Sequence, residues 1–190
     1  MKTLILNASP KDGGTISRMI QHFCGEISDK ASFEIVNVNK LVIKPCTGCM
    51  CCRTSGFCIL PYDDGHGTGD KMEKAENIVI GAPVYWGNMP GSLKILFDRN
   101  VYRFMGESGH GIPFPKMKGK KGFIITSCTT PFPFNLIFRQ STGLVKSINE
   151  IYKFGGIRLV KAITAAGTKN KKNLSLHCIR KLKAAGRMLV

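Results

Sequence analysis

Residues 3–17 read TLILNASPKDGGTIS and combine a short apolar run, a glycine-rich turn and the start of a helix. The apolar run at 3–6 is typical of a buried strand, and the turn that follows cannot continue a strand. Thr15 then stands where a helix N-cap is wanted. Apolar side chains recur after it at helical spacing, at Ile16, Met19, Ile20, Phe23 and Ile27. The stretch therefore predicts a strand that leads through a tight turn into a helix.

The same alternation continues along the chain. Apolar runs predict further strands at 33–38, 78–83, 123–126 and 157–163. Helical patterns lie at about 70–75, 92–99 and 136–152, and a last helix has Leu176, Ile179, Leu182 and Leu189 on one face. This order predicts an α/β fold, a three-layer sandwich in which helices cover both faces of a five-stranded parallel sheet. Two excursions are expected, a cysteine-rich one at about 44–70 and a second at 100–121.

Length and composition suit one folded domain over residues 1–190, because 43% of the residues are apolar. The 28 Lys and Arg residues exceed the 12 Asp and Glu residues by 16, which favours anionic ligands. The basic runs at 116–121 and 169–172 carry no nucleic-acid motif and are interpreted as solvated faces, so no nucleic-acid partner is expected. No apolar stretch approaches the roughly 18 residues of a bilayer span, and the short apolar start is no secretory leader. We expect a cytoplasmic protein with no membrane partner.

The first loop has the composition of a phosphate cradle. In sheets of this kind, ligands bind beyond the carboxyl ends of the strands. Hydroxyls, a cation and the backbone amides of a helix N-terminus come together there, and the candidate residues are Ser9, Lys11, Gly14, Thr15, Ile16 and Ser17. The loop has neither the Walker A sequence nor a three-glycine dinucleotide fingerprint, so a monophosphate end group fits better. A capped turn with a solvated Lys11 is the alternative.

The loops after the third and fourth strands suit a flat heteroaromatic ring. The third strand runs into Pro83, Val84, Tyr85, Trp86, Gly87 and Asn88, where aromatic faces adjoin backbone that a ring can approach closely. Alternatively, these aromatics plug a sheet edge or an oligomer interface. Ser127 and Thr129 follow the fourth strand and are expected to face the same pocket, although a turn with satisfied hydroxyls is an equal alternative.

On these residues the chain resembles the flavodoxin-like NAD(P)H-dependent FMN reductases. The resemblance lies in NASPK at 7–11, PVYWGNMP at 83–90 and LKILFDR at 93–99. It implies that the first loop holds the FMN phosphate and that residues 83–88 meet the isoalloxazine edge. Ile16 stands where similar chains often have a small polar residue, so its contact would be through its backbone N–H. The resemblance also implies a homodimer or homotetramer.

Four cysteines form a compact motif. Cys46, Cys49, Cys52 and Cys58 follow the spacing C-x2-C-x2-C-x5-C, with Cys51 as an extra thiol. In a reducing compartment such a group favours metal or redox chemistry over disulfides. Cysteines three residues apart can surround an inorganic core, so we predict these four as ligands of a [4Fe-4S] cluster, and the spacing resembles the iron-sulfur flavoprotein branch of the same family. Zinc, or thiols without a metal, are the alternatives.

The combined prediction is a flavoprotein oxidoreductase that binds FMN and, through the cysteine motif, an iron-sulfur cluster. A flavin exchanges electrons in pairs and a cluster exchanges them singly, so no side chain need act as a nucleophile and no catalytic residue is predicted. NAD(P)H or ferredoxin is the expected donor, with a small molecule as acceptor. The alternatives are a cluster-free NAD(P)H:FMN or quinone oxidoreductase and a non-enzymatic flavin electron shuttle.

Overall fold

The computed structural model describes residues 2–27, 31–169, 171 and 173–189. Its main sheet has five parallel strands, as predicted, in the order β2-β1-β3-β6-β7. These strands are β1 (Lys2–Asn7), β2 (Ser32–Asn37), β3 (Asn77–Pro83), β6 (Lys121–Ser127) and β7 (Arg158–Ala165). A separate antiparallel hairpin pairs β4 (Met105–Glu107) with β5 (Pro113–Pro115) inside the second excursion.

Helices cover both faces of the sheet. They are α1 (Thr15–Cys24), α2 (Cys51–Ser55), α3 (Asp64–Lys74), α4 (Gly91–Arg99), α5 (Val101–Phe104), α6 (Phe134–Ile137), α7 (Gln140–Gly155) and α8 (Leu176–Gly186). One apolar layer packs α1 and α8 against the sheet, and the other packs α3, α4, α5 and α7. Successive strand residues alternate between the layers, as Leu4 and Ile5 do. Burial on both faces explains why the strands read as continuous apolar runs.

Several element boundaries differ from the sequence prediction, and three of the differences concern helices. Gly14, not Thr15, is the N-cap of α1. The helix expected at about 70–75 begins at Asp64, because the Asp63 side chain accepts from the Gly65 N–H in a capping box. The helix expected over 136–152 is divided into α6 and α7 at Arg139, whose φ of 54° is left-handed.

The three predicted ligand loops leave neighbouring strand ends. Asn7 pairs with Gly81 across β1 and β3, and the Ala8 N–H donates to the Gly81 carbonyl at 2.8 Å. On the other side of β3, Pro83 pairs with Ser127 of β6. The strand order reverses between β1 and β3, which is the switch point where such sheets bind ligands.

Candidate functional site

The first loop is a tight turn that its own side chains shape. The Ser9 hydroxyl donates to the Lys11 carbonyl at 3.3 Å and accepts from the Lys11 N–H at 3.4 Å. The Gly14 N–H also donates to the Lys11 carbonyl, at 3.1 Å. Gly13 has a φ of +67°, a conformation that glycine adopts without strain. Ser9 is therefore a residue that forms the turn, and its hydroxyl is already engaged.

The N-terminus of α1 is open to an anionic group. No side chain caps it, and its first turn has no acidic residue. Within the described part of the chain, no hydrogen bond engages the backbone N–H groups of Thr15, Ile16 and Ser17. Ile16 is 1% exposed, so only its backbone can meet a ligand. Free helix-terminal amides fit a phosphate, and these belong to three of the predicted residues.

A basic cavity adjoins this helix end. It has a volume of about 490 Å³, and its lining includes Lys11, Gly14, Thr15, Arg18, Thr168, Lys169 and Lys171. The loop after β7 reaches the cavity because Thr168 is anchored to the Cys128 carbonyl through its N–H, at 3.1 Å, and its hydroxyl, at 3.0 Å. Lys169 and Lys171 are exposed, as expected of a solvated face, but they also line a ligand-sized cavity, which the sequence did not reveal. Lys172 lies outside the described residues.

The loop after β3 forms a two-residue turn with Trp86 at its tip. The Tyr85 and Asn88 backbones exchange two hydrogen bonds of 2.9 Å. Trp86 and Gly87 both have left-handed φ values, 51° and 72°. The Trp86 side chain is fully exposed, at 101%. A bulky residue in this conformation with an unburied ring is strained without any gain in packing, and such strain clusters at functional sites.

Few backbone donors of this loop remain for a ligand. The Val84 N–H donates to the Ser127 carbonyl at 2.9 Å, and the turn itself uses those of Tyr85 and Asn88. Within the described residues, the N–H groups of Trp86 and Gly87 have no hydrogen-bond partner. A ring lying on this turn would meet those two donors.

Helix α7 holds the aromatic turn in place. A Cβ on Gly143 would collide with the Gly87 carbonyl oxygen, so only glycine permits the observed approach. The Ser147 hydroxyl donates to Asn88 Oδ1 at 2.9 Å, and the same oxygen accepts from the Met89 N–H at 2.8 Å. Sequence reasoning missed Gly143 and Ser147, because they lie about 55 residues after the aromatic turn in the sequence and no local signal marks them.

The loop after β6 carries the two predicted hydroxyl residues, Ser127 and Thr129. Ser127 is buried and Thr129 is exposed. Burial raises the pKa of the Cys128 thiol between them, although hydrogen bonds from the Gly167 and Thr130 backbones partly oppose the shift. A raised pKa leaves less of the Cys128 thiol as thiolate, which is the nucleophilic form.

An apolar patch lies beside the aromatic turn. The stretch 131–139 follows β6. It approaches the aromatic turn closely, because a Cβ added to Gly87 would lie 3.4 Å from the Arg139 carbonyl oxygen. Its exposed apolar side chains are Phe132, Phe134, Leu136, Ile137 and Phe138. These side chains form an apolar rim at 132–138, and Tyr85 and Trp86 are exposed on the neighbouring turn.

The four predicted cysteines line one cavity. Its volume is about 80 Å³, and its lining includes Cys46, Cys49, Cys52 and Cys58. Cys51 is not part of this lining, and its thiol donates to the Cys49 carbonyl at 3.6 Å. The four cysteines of the predicted ligand set thus lie around one cavity, and Cys51 lies outside its lining.

The arrangement of these thiols bears on which metal group fits. Among the described residues, no three His, Cys, Asp or Glu side chains converge as ligands of a single ion would. A tetrahedral zinc site needs four sulfurs about 2.3 Å from one point. Four thiolates are also the ligands of a polynuclear iron-sulfur core. The donor chemistry of the four cysteines therefore fits an iron-sulfur cluster.

The environments of the cysteines differ. Burial raises the pKa of Cys52, and the negative charge that Cys58 would carry adds to this shift. The pKa of Cys49 is lowered chiefly because the Cys51 backbone N–H donates a hydrogen bond to its sulfur.

A parallel α/β sheet with its ligand loops at the β1/β3 switch point defines a flavodoxin-like architecture. A family model described as flavodoxin-like fold matches residues 1–184, and the chain belongs to that family. None of the described helices has the length and apolar character that crossing a bilayer requires.

Curated relatives match about half of the chain's length. The iron-sulfur flavoprotein of Methanosarcina thermophila is 36% identical over 103 residues, which are 53% of this chain and 53% of that protein. An iron-sulfur flavoprotein of Archaeoglobus fulgidus is 36% identical over 107 residues, 56% of this chain and 52% of that protein. The chain thus matches about half the length of these relatives.

Solved structures agree in fold along the whole chain. An NAD(P)H:quinone oxidoreductase from Methanothermobacter marburgensis has a TM-score of 0.78 at 17% identity, covering 100% of this chain and 99% of that one. An FMN-dependent NADH-azoreductase from Bacillus anthracis, solved with FMN, has a TM-score of 0.72 at 17% identity, covering 99% and 98%.

Proposed function

We propose that this chain is an FMN-binding oxidoreductase that also holds a [4Fe-4S] cluster on Cys46, Cys49, Cys52 and Cys58. The observation that carries the flavin assignment is the hydrogen-bonded pairing of β1 with β3, which sets the phosphate-type turn beside the aromatic turn. FMN has an anionic end and a flat ring, which these two turns suit. The relatives named as iron-sulfur flavoproteins support the cluster.

Each loop has a distinct part in this proposal. The amides of Thr15, Ile16 and Ser17 hold the phosphate, with Lys11 and the basic cavity adding positive charge. Trp86 would offer an aromatic surface to the flavin ring. The N–H groups of Trp86 and Gly87 would stabilise negative charge on the ring, as fixed backbone dipoles do without reorganisation. When bound, the flavin supplies two-electron chemistry and the cluster supplies one-electron chemistry.

The remaining expectations belong to the same proposal. Residues 1–190 form one FMN-binding domain, and NAD(P)H or ferredoxin is the donor for a small-molecule acceptor. The apolar rim at 132–138 supports a homodimer or homotetramer, since exposed patches of this kind mark interaction sites. A cytoplasmic location follows from the reduced thiols that a cluster needs.

The test is cofactor analysis after anaerobic purification. We expect about one FMN, four irons and four labile sulfides per chain, and bleaching of the flavin band by NADH, NADPH or reduced ferredoxin. A colourless chain that does not bind added FMN would overturn the flavin assignment.

A cluster-free FMN or quinone oxidoreductase is the second candidate, favoured by the exposure of Cys46 and Cys49. The same preparation separates the two. FMN without iron or labile sulfide, even after anaerobic reconstitution, would establish the cluster-free enzyme.

A further inference from the structure

Arg99, the last residue of α4, is a buried cation in the wall of the cysteine cavity. Its side chain is 1% exposed, and it lines the cavity together with the four cysteines. A buried guanidinium is costly unless its charge and its donors are matched. The contacts of Arg99 therefore show which of its N–H groups already have a partner and which remain for a ligand.

One side of the guanidinium is fully engaged. Nη1 donates to Asp63 Oδ2 at 2.8 Å and to the Lys44 carbonyl at 2.5 Å, and Nη2 lies 3.4 Å from His66 Nδ1. Asp63 also accepts from the Lys44 N–H at 3.1 Å. Arg99 and Asp63 thus clamp the backbone two residues before Cys46, which fixes the start of the cysteine loop.

The Nε–H of Arg99 is different. It is buried, and it has no hydrogen-bond partner among the described residues. Asp98, the acidic residue in the same cavity lining, is paired with Lys94 at 2.5 Å. Buried donors in folded proteins almost always have a partner, and a ligand in the cavity that Arg99 lines would bring an acceptor to this residue. Four thiolates around an inorganic core would supply such an acceptor.

We propose that the Arg99 Nε–H donates to a sulfur of the cluster and raises the reduction potential of that cluster. This inference rests on the proposed function. Reduction adds one electron and makes the cluster more negative, and a fixed cation with a hydrogen bond to sulfur favours the more negative state. Arg99 follows the aromatic turn by only 13 residues, so one helix links the flavin site to the residue that tunes the cluster.

Arg103 provides a matched control. It is also a largely buried arginine, with a side chain 11% exposed and ion pairs to Asp70 and Glu73, but it does not line the cysteine cavity. Arg99→Gln and Arg103→Gln remove the same charge from neighbouring helices. The experiment measures iron and labile sulfide, FMN content and the midpoint potential of the cluster in a dye-equilibrated titration.

We expect Arg99→Gln to lower the reduction equilibrium constant of the cluster about tenfold, which is about 59 mV for one electron. Arg103→Gln should leave it unchanged. Equal shifts in both variants, or no shift in Arg99→Gln, would overturn the inference while leaving the proposed function intact. FMN without iron in the wild-type chain would instead refute the cluster, and the inference with it.

A measurement on the wild-type chain covers the case in which Arg99→Gln does not fold. Protein labelled with ¹⁵N-arginine is reduced and examined by pulsed EPR. A ¹⁵N coupling to the cluster should be present in wild type and in Arg103→Lys and absent in Arg99→Lys. A reduced cluster without that coupling in wild type would refute the hydrogen bond.

Discussion

Gly143 lies so close to the Gly87 carbonyl oxygen that any larger residue at 143 would displace the aromatic turn. This contact joins α7 to the segment that carries Trp86. The position of the aromatic turn therefore depends on how closely α7 packs against it. Rigid support of this kind is what a binding site needs to hold a ring in one orientation.

Gly143→Ala should therefore weaken FMN binding from a distance. The added methyl must push Gly87 or α7 aside, at a cost of about 1–3 kcal/mol in the free energy of unfolding. We expect the FMN dissociation constant to rise about tenfold, equivalent to about 1.4 kcal/mol. Flavin fluorescence titration measures it. Gly109→Ala is the control, since an added Cβ there meets no atom within 4 Å; equal affinities in both variants would contradict the supporting role of α7.

Trp86→Asn should separate stability from binding. Asparagine tolerates the left-handed backbone that strains tryptophan, so the apo protein should gain about 1 kcal/mol in urea unfolding. Its FMN affinity should fall about tenfold through the lost ring contact. Trp86→Phe keeps a ring and should bind FMN nearly as wild type does. A destabilised Trp86→Asn apo protein would show that the turn is not strained.

The cysteines should divide into two classes under alanine substitution. Cys49→Ala removes a thiol from the cavity lining, so we expect loss of iron and labile sulfide with FMN retained. Cys51→Ala removes the thiol outside that lining and should retain the cluster. Anaerobic iron and sulfide assays measure both. Full iron in Cys49→Ala would mean that the ligand set is wrong.

Acid should unfold the chain partly through Asp63. Burial alone would raise its pKa, but hydrogen bonds from the Lys44 N–H and from His66, with the charge of Arg99, lower it overall. A carboxyl held below its unfolded pKa of about 3.9 stabilises the fold above that pH. The stabilisation is lost as the pH falls through the folded pKa.

Asp63→Asn tests this linkage. It should cost about 3 kcal/mol near pH 7, because it leaves a buried arginine unpaired, and it should flatten the fall of stability below about pH 4. Urea unfolding between pH 2 and 7 measures both. If Asp63→Asn left the slope of unfolding free energy against pH unchanged, the acid sensitivity would come from another group.

The sheet was predictable because its strands are apolar on both faces, as Leu4 and Ile5 show by entering opposite layers. The first turns of α3 were not predictable. Glycines are poor helix formers, yet Gly69 is required there because a Cβ would collide with Asn100. The Asn100 side chain also donates to the Gly65 carbonyl at 2.9 Å, so tertiary packing overrides local propensity.

The candidate site was also predictable only in part. Loops placed by topology, such as the turns at Ser9 and Trp86, could be found from the sequence because strand ends locate them. Arg99 and Gly143 could not, because each acts through an approach between distant segments. Lys171 was missed for a related reason: no local pattern shows that the loop after β7 folds back to α1.

Trp86 is the only tryptophan in the chain and is wholly in solvent. Its emission therefore reports on a single turn, red-shifted as for indole in water, with no second fluorophore of its kind to subtract. Any molecule that settles over the turn will quench or shift that emission in proportion to occupancy. The protein thus contains its own optical probe for screening unlabelled ligands.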